Sequence, residues 1–432
     1  MPTTAPSGAS PRSERGVSAK GPRRRRLSGL VVNYNTGPFC VACVRSLQRE
    51  WGEEGRDPAD LEVIVVDNAS PVDQTPWLEE LESLGARVIR ADDNLGYAGG
   101  MNLALEHSDG APEDIVAMLN PDLFFLPGAI GAMVDHLIDN PRTGAVDPRA
   151  TIDPAQRLNL PRNHLPTLYE HTLLNLAQRF PWATRAYSRR RSQLALEWWN
   201  TDGPLAADML SGCCVFLRRA VVEELPYPLL DPRYPLYFED TDLFRTLARL
   251  GYDSVHLGSA RVLHHWSRSA GVGASYEGEP HRRQQISQRL YFEKFYGGLG
   301  RRFAEWMAKR GAAWEGGGQP LHELTDLGAI DQPPTLEFDR ERKFVIEVGL
   351  SPKFLLAVGV LDEGRTWRCP DDTWAWWFQG HYFLRALDRE SGELLGAWKL
   401  VKTAPGRNDP VAVDEEDAIR AAASAVLEAS AR

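Results

Sequence analysis

The sequence feature that most constrains the fold is a series of short apolar runs that end in polar residues. Residues 30–32, 62–66 and 115–119 are rich in Val, Ile and Leu, and each run is followed directly by Asn or Asp. Near-continuous apolar runs of this kind are typical of strands that are buried on both faces of a parallel sheet. The sequence therefore predicts three buried strands that carry polar side chains at their carboxyl ends.

Helical patterns separate these strands. The segment after the first strand has an apolar stripe at helical spacing, formed by Cys40, Cys43, Val44, Leu47 and Trp51. Alternating strands and helices predict an α/β fold with a mostly parallel sheet, right-handed crossovers and helices on both faces. Because the carboxyl ends of parallel strands meet at one edge, one crevice is expected to collect Asn35, Asp67, Asn94 and Asp122.

The stretch from Asn94 to Asp122 has the outline of a nucleotide-sugar site. Its first part holds three glycines and two short amides, which suits close approach of the backbone to a bulky polar ligand. Its second part is the apolar run that ends at Asn120 and Asp122, so a carboxylate that could bind a cation lies at a strand end. Either part alone is equally typical of an ordinary turn.

A second acidic cluster, Glu239 and Asp240, precedes a segment with helical apolar spacing that ends at Gly251. The two acids are therefore expected in the first turn of a helix. Partial positive charge at a helix start favours an ionised carboxylate by about 0.3 to 1 kcal/mol, so we expect Asp240 to be charged at neutral pH. Acids at this position can also serve only to cap the helix.

Length and composition limit the class of protein. The chain has 432 residues, of which 43% are hydrophobic and 25% charged, enough for a sizeable core and more than one domain. A net charge of -10 argues against general nucleic-acid binding. No run approaches the ~18 apolar residues of a membrane span, so a cytoplasmic protein is expected. The five cysteines are expected to be reduced, and Cys40 and Cys43 to fill the core rather than bind metal or act in redox chemistry.

Changes in composition predict the domain boundaries. Residues 1–26 are rich in Ser, Pro, Gly and Arg and predict a disordered basic arm, residues 27–315 an α/β domain, and residues 316–335 a linker. Residues 336–403 predict a small β-sandwich-like module that folds separately, with Trp374, Trp376 and Trp377 in its core or on a sugar-stacking face. Residues 404–432 predict a tail with a short helix.

Six motifs, in chain order, carry a resemblance to a known family. They are VVNYN, VDNAS, NLGYAGGMN, LNPDLFFLPG, SGCCVFLRR and YFEDTDLFRTLARLGY. Over about residues 27–300 the chain resembles the inverting glycosyltransferases of the GT-A (Rossmann-like) fold that include the bacterial rhamnosyltransferases. The resemblance implies transfer of a sugar from a nucleotide diphosphate, dTDP- or UDP-linked and rhamnose-like, to a hydroxyl of a glycan or lipid-linked oligosaccharide.

The resemblance also implies roles for individual residues. The nucleobase would contact Asp67, while the diphosphate and sugar would lie along the segment that holds Asn94, Gly96 and Asn102. Asp240 would be the general base, and Glu239 would orient it or bind the acceptor.

A divalent cation, Mg²⁺ or Mn²⁺, is implied at Asp122. Many relatives have Asp-x-Asp here, whereas this chain has Asn120 as the first residue, so metal dependence is less secure than the fold. Relatives often present a histidine after a later strand, which favours His264 over His265 as a ligand, with a structural histidine as the alternative.

Two other functions are consistent with parts of the sequence. The GT-A domain could be a catalytically inactive carbohydrate-binding or scaffold domain, although the acids Asp122 and Asp240 are intact. A nucleotidyltransferase would need a triphosphate-binding loop after the first strand, and residues 33–37 have one glycine and no lysine. The arginines at 23–26 leave open a peripheral contact with the inner face of the membrane.

Overall fold

The computed structural model describes residues 25–265, 279–314 and 319–407, together with residues 417, 419 and 420. The strands of this part are β1 (Leu27–Asn33), β2 (Leu61–Asp67), β3 (Arg87–Arg90), β4 (Ile115–Leu119), β5 (Leu123–Phe125), β6 (Thr143–Thr151), β7 (Pro204–Ala207), β8 (Cys214–Arg218), β9 (Asp253–His264), β10 (Thr325–Ile330), β11 (Thr335–Gly349), β12 (Val358–Arg368), β13 (Gly380–Asp388) and β14 (Leu394–Lys402). The α-helices are α1 (Gly37–Glu53), α2 (Thr75–Ser83), α3 (Gly96–Glu106), α4 (Ala129–Asp139), α5 (Leu168–Ala177), α6 (Pro181–Asn200), α7 (Arg219–Glu223), α8 (Glu239–Leu250), α9 (Glu279–Trp314) and α10 (Asp371–Trp376).

The large sheet confirms the α/β prediction. Its strand order is β3-β2-β1-β4-β8-β6-β9-β5, with β7 paired to β9. The first four strands are parallel, as the buried apolar runs predict. Strand β8 then pairs antiparallel with both β4 and β6, so the sheet as a whole is mixed.

The strand register places the polar strand ends side by side. Asn33 at the end of β1 lies opposite Asp67 at the end of β2. In the next pair, Val31 lies opposite Leu119, after which β4 ends. The carboxyl edge of the parallel strands therefore collects the first polar residues of the candidate site.

Two hydrophobic clusters cover the two faces of this sheet. On one face the predicted α1 stripe packs with α4, and Cys40, Cys43, Leu47 and Trp51 are almost fully buried. Burial raises the pKa of the Cys43 thiol to about 12, which suits a core residue rather than a thiolate ligand. All five cysteines are buried and free, as expected.

The C-terminal module differs from the prediction in two respects. Residues 325–330, expected in a linker, form β10, which pairs in parallel with β14 because its Leu327 and Ile330 pack against the core of the module. The described strands of the module form one sheet in the order β10-β14-β13-β11-β12 rather than a sandwich. One face packs on α10, and the other places Val345 and Leu387 against Trp198 and Trp199 of α6. Helix α6 therefore occupies the side where a second sheet was expected.

Buried charges also tie this module to the first domain. Glu347 on β11 is fully buried and accepts hydrogen bonds from Arg191 of α6 at 2.6 Å and from Arg385 of β13 at 2.6 Å. Arg385 also donates to Ser188 of α6 at 2.8 Å. Removing one partner of such a buried pair costs about 3 to 5 kcal/mol because the remaining charge stays desolvated. These contacts attach the module to α6, and separate folding of the module stays a prediction.

The terminal predictions fall mostly outside the described residues. The first described strand begins at Leu27, where the α/β domain was predicted to start, and only residues 25–26 of the predicted basic arm are described. The tail predicted over 404–432 is described only at residues 404–407, 417, 419 and 420. Among the described helices, none has the length and apolarity needed to cross a membrane.

Candidate active site

Asp67 is held at the carboxyl edge by neighbouring polar side chains. Its Oδ1 accepts hydrogen bonds from Asn33 Nδ2 at 2.8 Å and from the Ser70 hydroxyl at 2.7 Å. Among the described residues, the contact to Oδ2 is a longer one, 3.4 Å, from the Ser70 backbone N–H. Ser70 also accepts from the backbone N–H of Asn35, at 2.9 Å. These bonds fix the Asp67 carboxylate and leave Oδ2 with acceptor capacity.

Asn68, the residue after Asp67, connects this edge to the glycine turn. Its side-chain Nδ2 donates to Asn94 Oδ1 at 3.2 Å and to the Gly96 carbonyl at 3.1 Å. Its side-chain Oδ1 accepts from the Leu95 N–H at 2.9 Å. Gly96 has a φ of 71°, in the left-handed region where a side chain would be strained. The structure therefore brings Asn94 and Gly96 beside Asp67, and Asn68 is a contact that the sequence interpretation missed.

The side chain of Asn102 binds the backbone of a distant segment of the chain. The residue lies inside α3, and its side-chain amide donates to the Leu230 carbonyl at 2.8 Å. Its side-chain oxygen accepts from the backbone N–H groups of Leu229 and Leu230. These bonds secure the 229–230 segment and leave one N–H of the Asn102 amide, so its role along the diphosphate stays a prediction.

Asp122 lies beside His264. Its Oδ1 is 3.3 Å from His264 Nε2, and both side chains are buried. Leu123 of β5 pairs with His264 of β9, which explains how two distant segments place these groups together. Asn120 contributes its amide nitrogen at 3.4 Å from the same imidazole nitrogen. The three polar groups predicted for the cation site therefore form one cluster.

The structure distinguishes the two candidate histidines. His265 donates its backbone N–H to the Asp122 carbonyl at 3.0 Å. Its ring stacks on Trp376 of α10, with ring centroids 4.9 Å apart, and contacts Phe39 on α1 at 5.4 Å. His264 therefore faces the Asp122 carboxylate, whereas the His265 ring packs between the first domain and the module. Trp376 was expected in the module core or on a sugar-stacking face, and its ring instead contacts the histidine next to the site.

Electrostatics favours charge on both members of the Asp122 pair. Burial raises the pKa of Asp122, but the His264 imidazole offsets this, so the pKa lies below its usual value. Burial lowers the pKa of His264, but Cys213 and the Asp122 carboxylate raise it well above its usual value.

The donor set of this pair suits a cation that a ligand completes. Among the described residues, no group of three or more His, Cys, Asp or Glu side chains is placed to hold a metal ion. A carboxylate oxygen and an imidazole nitrogen within 3.3 Å of each other can contact the same ion. Mg²⁺ is commonly held by one or two carboxylates together with substrate phosphates, and imidazole also suits Mn²⁺. Asp122 and His264 therefore fit a divalent ion that phosphate oxygens and water would also contact.

The second acidic cluster opens α8, as the sequence predicts. Tyr237 and Phe238 before it both have positive φ, 61° and 69°, which is uncommon for bulky side chains and is found most often at functional sites. Asp240 Oδ1 accepts from the Thr241 N–H at 2.7 Å. A Cβ at Gly212 would lie 2.7 Å from Asp240 Oδ2, so only glycine lets the 211–212 turn pack against this carboxylate.

Burial, rather than the helix start, controls the ionisation of this cluster. Burial and the charge of Asp240 raise the pKa of Glu239 to about 8. Burial also raises the pKa of Asp240, although Thr241 donates two hydrogen bonds to its carboxylate. The helix start therefore does not by itself set the pKa of Asp240, and its ionisation at neutral pH stays a prediction.

Asp242, the third acid of this motif, has a structural role. It is fully buried and accepts hydrogen bonds from the hydroxyls of Tyr227 and Tyr234, both at 2.7 Å. Lys294 of α9 also lies 2.8 Å from it. Because these contacts satisfy Asp242, it holds the start of α8 in place, while Asp240 stays available.

Tyr97 connects the two acidic clusters. Its hydroxyl donates to Asn120 Oδ1 at 3.2 Å and lies 3.5 Å from the Gly212 carbonyl oxygen. Burial and the charges of Glu239 and Asp240 raise its pKa well above the ordinary value. Its position inside the NLGYAGGMN motif was the available signal. The Tyr97 hydroxyl therefore contacts both the cation cluster and the 211–212 turn that packs on Asp240.

A buried pair below the 211–212 turn was also missed. Asp147 Oδ2 accepts the Ser211 N–H at 2.9 Å, and its Oδ1 lies 2.9 Å from His256 Nδ1. Trp198 stacks on His256 with ring centroids 3.6 Å apart. The two residues lie in strands that carry no motif, so nothing in the sequence pattern indicated their contact. They position the turn that packs on Asp240.

Comparison with known proteins identifies the family of the chain. The sequence profile of the family described as Glycosyl transferase family 2 matches residues 28–225. The chain is 30% identical over 262 residues to the N-acetylglucosaminyl-diphospho-decaprenol L-rhamnosyltransferase of Mycobacterium tuberculosis, in two strains, and this match covers 57% of the chain and 78% of the relative.

Solved structures with detectable similarity include S. aureus TarS 1-349, with 14% identity, a TM-score of 0.41, and coverage of 67% of this chain and 72% of the other. Another is the mannosyltransferase PcManGT from Pyrobaculum calidifontis in complex with GDP-Man and Mn²⁺, with 18% identity, a TM-score of 0.38, and coverage of 70% and 79%. The resemblance drawn from the motifs is confirmed by the family match and the mycobacterial relative. The chain belongs to glycosyl transferase family 2 and is a glycosyltransferase.

Proposed function

We propose that this glycosyltransferase moves a rhamnose-like sugar from a dTDP- or UDP-linked donor to a hydroxyl of a glycan or lipid-linked acceptor, with inversion at the anomeric carbon. The observation that carries the proposal is the contact of Tyr97 with Asn120 and the 211–212 turn, since it connects the cation cluster to the turn that packs on the proposed base, Asp240. The mycobacterial relative, whose name specifies a rhamnosyl donor and a diphospho-decaprenol acceptor, supports the choice of donor and acceptor class.

The donor nucleotide would lie along the carboxyl edge. Asp67 Oδ2 has capacity to accept from the imide N–H that uracil and thymine share, because the short bonds from Asn33 and Ser70 go to Oδ1. The turn at Asn94 and Gly96, held against β2 by Asn68, would approach the diphosphate. Asn35 lies on the same edge and is fixed by Ser70.

The cation would be held by Asp122 and His264, with Asn120 beside them. A bound divalent ion would supply positive charge to the departing diphosphate. Within the described residues, this cluster offers one carboxylate and one imidazole, which gives up its proton to bind the ion, so donor and metal are expected to bind together.

Asp240 would take the proton of the acceptor hydroxyl. As the acceptor oxygen bonds to the anomeric carbon, the bond to the diphosphate breaks on the opposite face and its electron pair leaves with the phosphate. Oδ1 of Asp240 is occupied by Thr241, which leaves Oδ2, on the side of Gly212, as the accepting atom. Glu239, protonated up to about pH 8, would keep the pair from carrying two charges.

The test is incubation of the purified protein with a panel of nucleotide sugars and Mg²⁺ or Mn²⁺, read by mass spectrometry for hydrolysis and for transfer. Consumption of one donor by the wild type, but not by the Asp240→Asn variant, is the expected result. A folded wild type that binds nucleotide and consumes none of the donors would favour the catalytically inactive alternative. A preference for guanine nucleotides would contradict the assigned donor.

A further inference from the structure

The second half of α9 exposes an apolar stripe. Helix α9 is interrupted at Gly297, whose φ is 69°. After this break, Leu299, Phe303 and Trp306 are 82%, 42% and 52% exposed. Their spacing of four and three residues places them on one face of the helix. Three large apolar side chains exposed on one helical face are a candidate interaction surface.

The neighbouring face of the same helix is packed, which keeps the stripe exposed. Ala304 and Met307 are buried, and the Ala304 carbonyl lies 2.9 Å from His171 Nε2 of α5. A Cβ at Gly311 would collide with the side chain of Asn175, so α5 and α9 approach closely there. The helix cannot rotate its stripe into the core without breaking this contact.

Basic residues accompany the stripe. Arg302, Lys309 and Arg310 are exposed on the same face, and the Arg310 guanidinium lies 5.3 Å from the Trp306 ring centroid. The one acid between residues 298 and 314, Glu305, is paired with Arg301 at 2.7 Å. The chain as a whole has a net charge of -10, so this face is basic on an acidic protein.

We propose that this surface, defined by Leu299, Arg302, Phe303, Trp306 and Lys309 together with Arg310, docks on an anionic lipid membrane. Helices that lie in the membrane interface combine Leu, Phe and Trp with Lys and Arg, since the apolar side chains enter the acyl boundary while the cations contact lipid headgroups. A second copy of the chain fits less well, because face-to-face contact of identical stripes would bring like charges together.

The position of the surface connects docking to the active site. The first half of α9 holds the base segment, through Lys294 at 2.8 Å from Asp242 and through Ser287, whose hydroxyl donates to the Leu236 carbonyl at 2.7 Å. A docked α9 would therefore hold the α8 acids near the membrane surface. This consequence rests on the proposed lipid-linked acceptor, whereas the docking itself does not.

The experiment is co-sedimentation of the full chain with vesicles of phosphatidylcholine alone and of phosphatidylcholine with phosphatidylglycerol, at low and high salt. We expect binding to the anionic vesicles that weakens with salt. The charge variant Arg302→Gln/Lys309→Gln/Arg310→Gln should lower the partition coefficient by roughly 100-fold, or about fivefold per cation. The apolar variant Phe303→Ser/Trp306→Ser should lower it at least about tenfold.

The matched control is Leu350→Ser, which removes a 74% exposed leucine from the module and should leave vesicle binding unchanged. Nucleotide affinity and sedimentation velocity of every variant show whether it is folded and whether it self-associates. A wild type that does not bind anionic vesicles overturns the proposal, as do stripe variants that bind as the wild type does. If the wild type is a dimer that does not bind vesicles, and the stripe variants are monomers, the surface binds a second copy of the chain and the membrane proposal is overturned. A protein that binds vesicles but transfers no sugar would contradict the proposed function and would still support membrane docking.

Discussion

Asp122 and Asp240 are both buried acids of the candidate site, yet their surroundings move their pKa values in opposite directions. Asp122 faces the His264 imidazole, and its pKa is lowered despite burial. Asp240 lies next to a second carboxyl, Glu239, and burial raises its pKa. Both acids are buried, but only at Asp122 does an adjacent imidazole outweigh the effect of burial, so the two pKa values move apart.

This difference matches the two roles that we propose. A carboxylate that holds a cation should remain ionised without it, and Asp122 is placed to do so. A general base works best when its pKa lies near the working pH, and a raised pKa moves Asp240 in that direction. The four predictions below test this division of roles, from the largest expected effect to the smallest.

Asp240→Asn should slow transfer by about 10² to 10⁴-fold, because the amide keeps the shape and cannot accept the proton. Donor affinity should stay near wild type, since no donor contact is assigned to Asp240. Because the pKa of Asp240 is raised, wild-type transfer should fall on the acid side at a pH above its reference pKa of about 3.9. Single-turnover rates between pH 5 and 9, beside nucleotide titrations, measure both quantities. Equal loss of binding and transfer would contradict the assigned role.

Asp122→Asn should lower nucleotide affinity in the presence of Mn²⁺ by at least about 10- to 100-fold, because it removes the charged donor of the cation cluster. Without metal, the affinity of wild type and variant should be similar. Calorimetry with UDP or dTDP, with and without Mn²⁺, separates the two conditions, and Asp240→Asn is the matched control. If Mn²⁺ strengthens binding equally in both variants, the cation does not lie at Asp122.

Trp376→Leu should weaken metal-dependent nucleotide binding by about 2- to 13-fold, since ring stacking is worth about 0.5 to 1.5 kcal/mol and here orders His265, whose N–H bonds to Asp122. The control is Trp377→Leu, which is equally buried but has tilted ring contacts with Trp374 and Tyr382 instead. The melting temperatures of both variants show how much of any loss of binding comes from lost stability. If both weaken binding to the same degree, the effect comes from the module as a whole and not from the stack on His265.

Glu239→Gln should leave transfer at neutral pH near wild type, because Glu239 is protonated below about pH 8 and an amide resembles the neutral acid. In the unfolded chain the pKa of Glu239 is about 4.3, and in the folded chain it is about 8. The protonated Glu239 therefore contributes stability that is fully present below about pH 4.3 and is lost as the pH rises through about 8. The unfolding free energy of the wild type should therefore fall between pH 5 and 8.5 relative to the variant, as denaturant titrations can show. An inactive Glu239→Gln beside an active Asp240→Asn would make Glu239 the base.

Much of the α/β domain follows from local patterns. The apolar runs that end at Asn33, Asp67 and Asn120 specify strands and their polar ends, because buried strands need unbroken apolar residues and sheet edges tolerate polar ones. The placement of Glu239 and Asp240 in the first turn of α8 follows from helical spacing before Gly251. These features depend on residues that are close together in the sequence, so they can be predicted from the sequence alone.

Contacts between distant segments had no such signal. Asp147 meets His256, Asn102 holds residues 229–230, and Glu347 joins two arginines because packed elements bring them together. The pKa of Asp240 likewise depends on burial, which the helix-start argument could not include. The sequence by itself determined the alternation of strands and helices and the acids at their ends, since these depend on periodicity. Only the tertiary structure decided which polar groups are already satisfied, which carboxylates are charged and where the C-terminal module packs, because burial and partner choice depend on residues far apart in the chain.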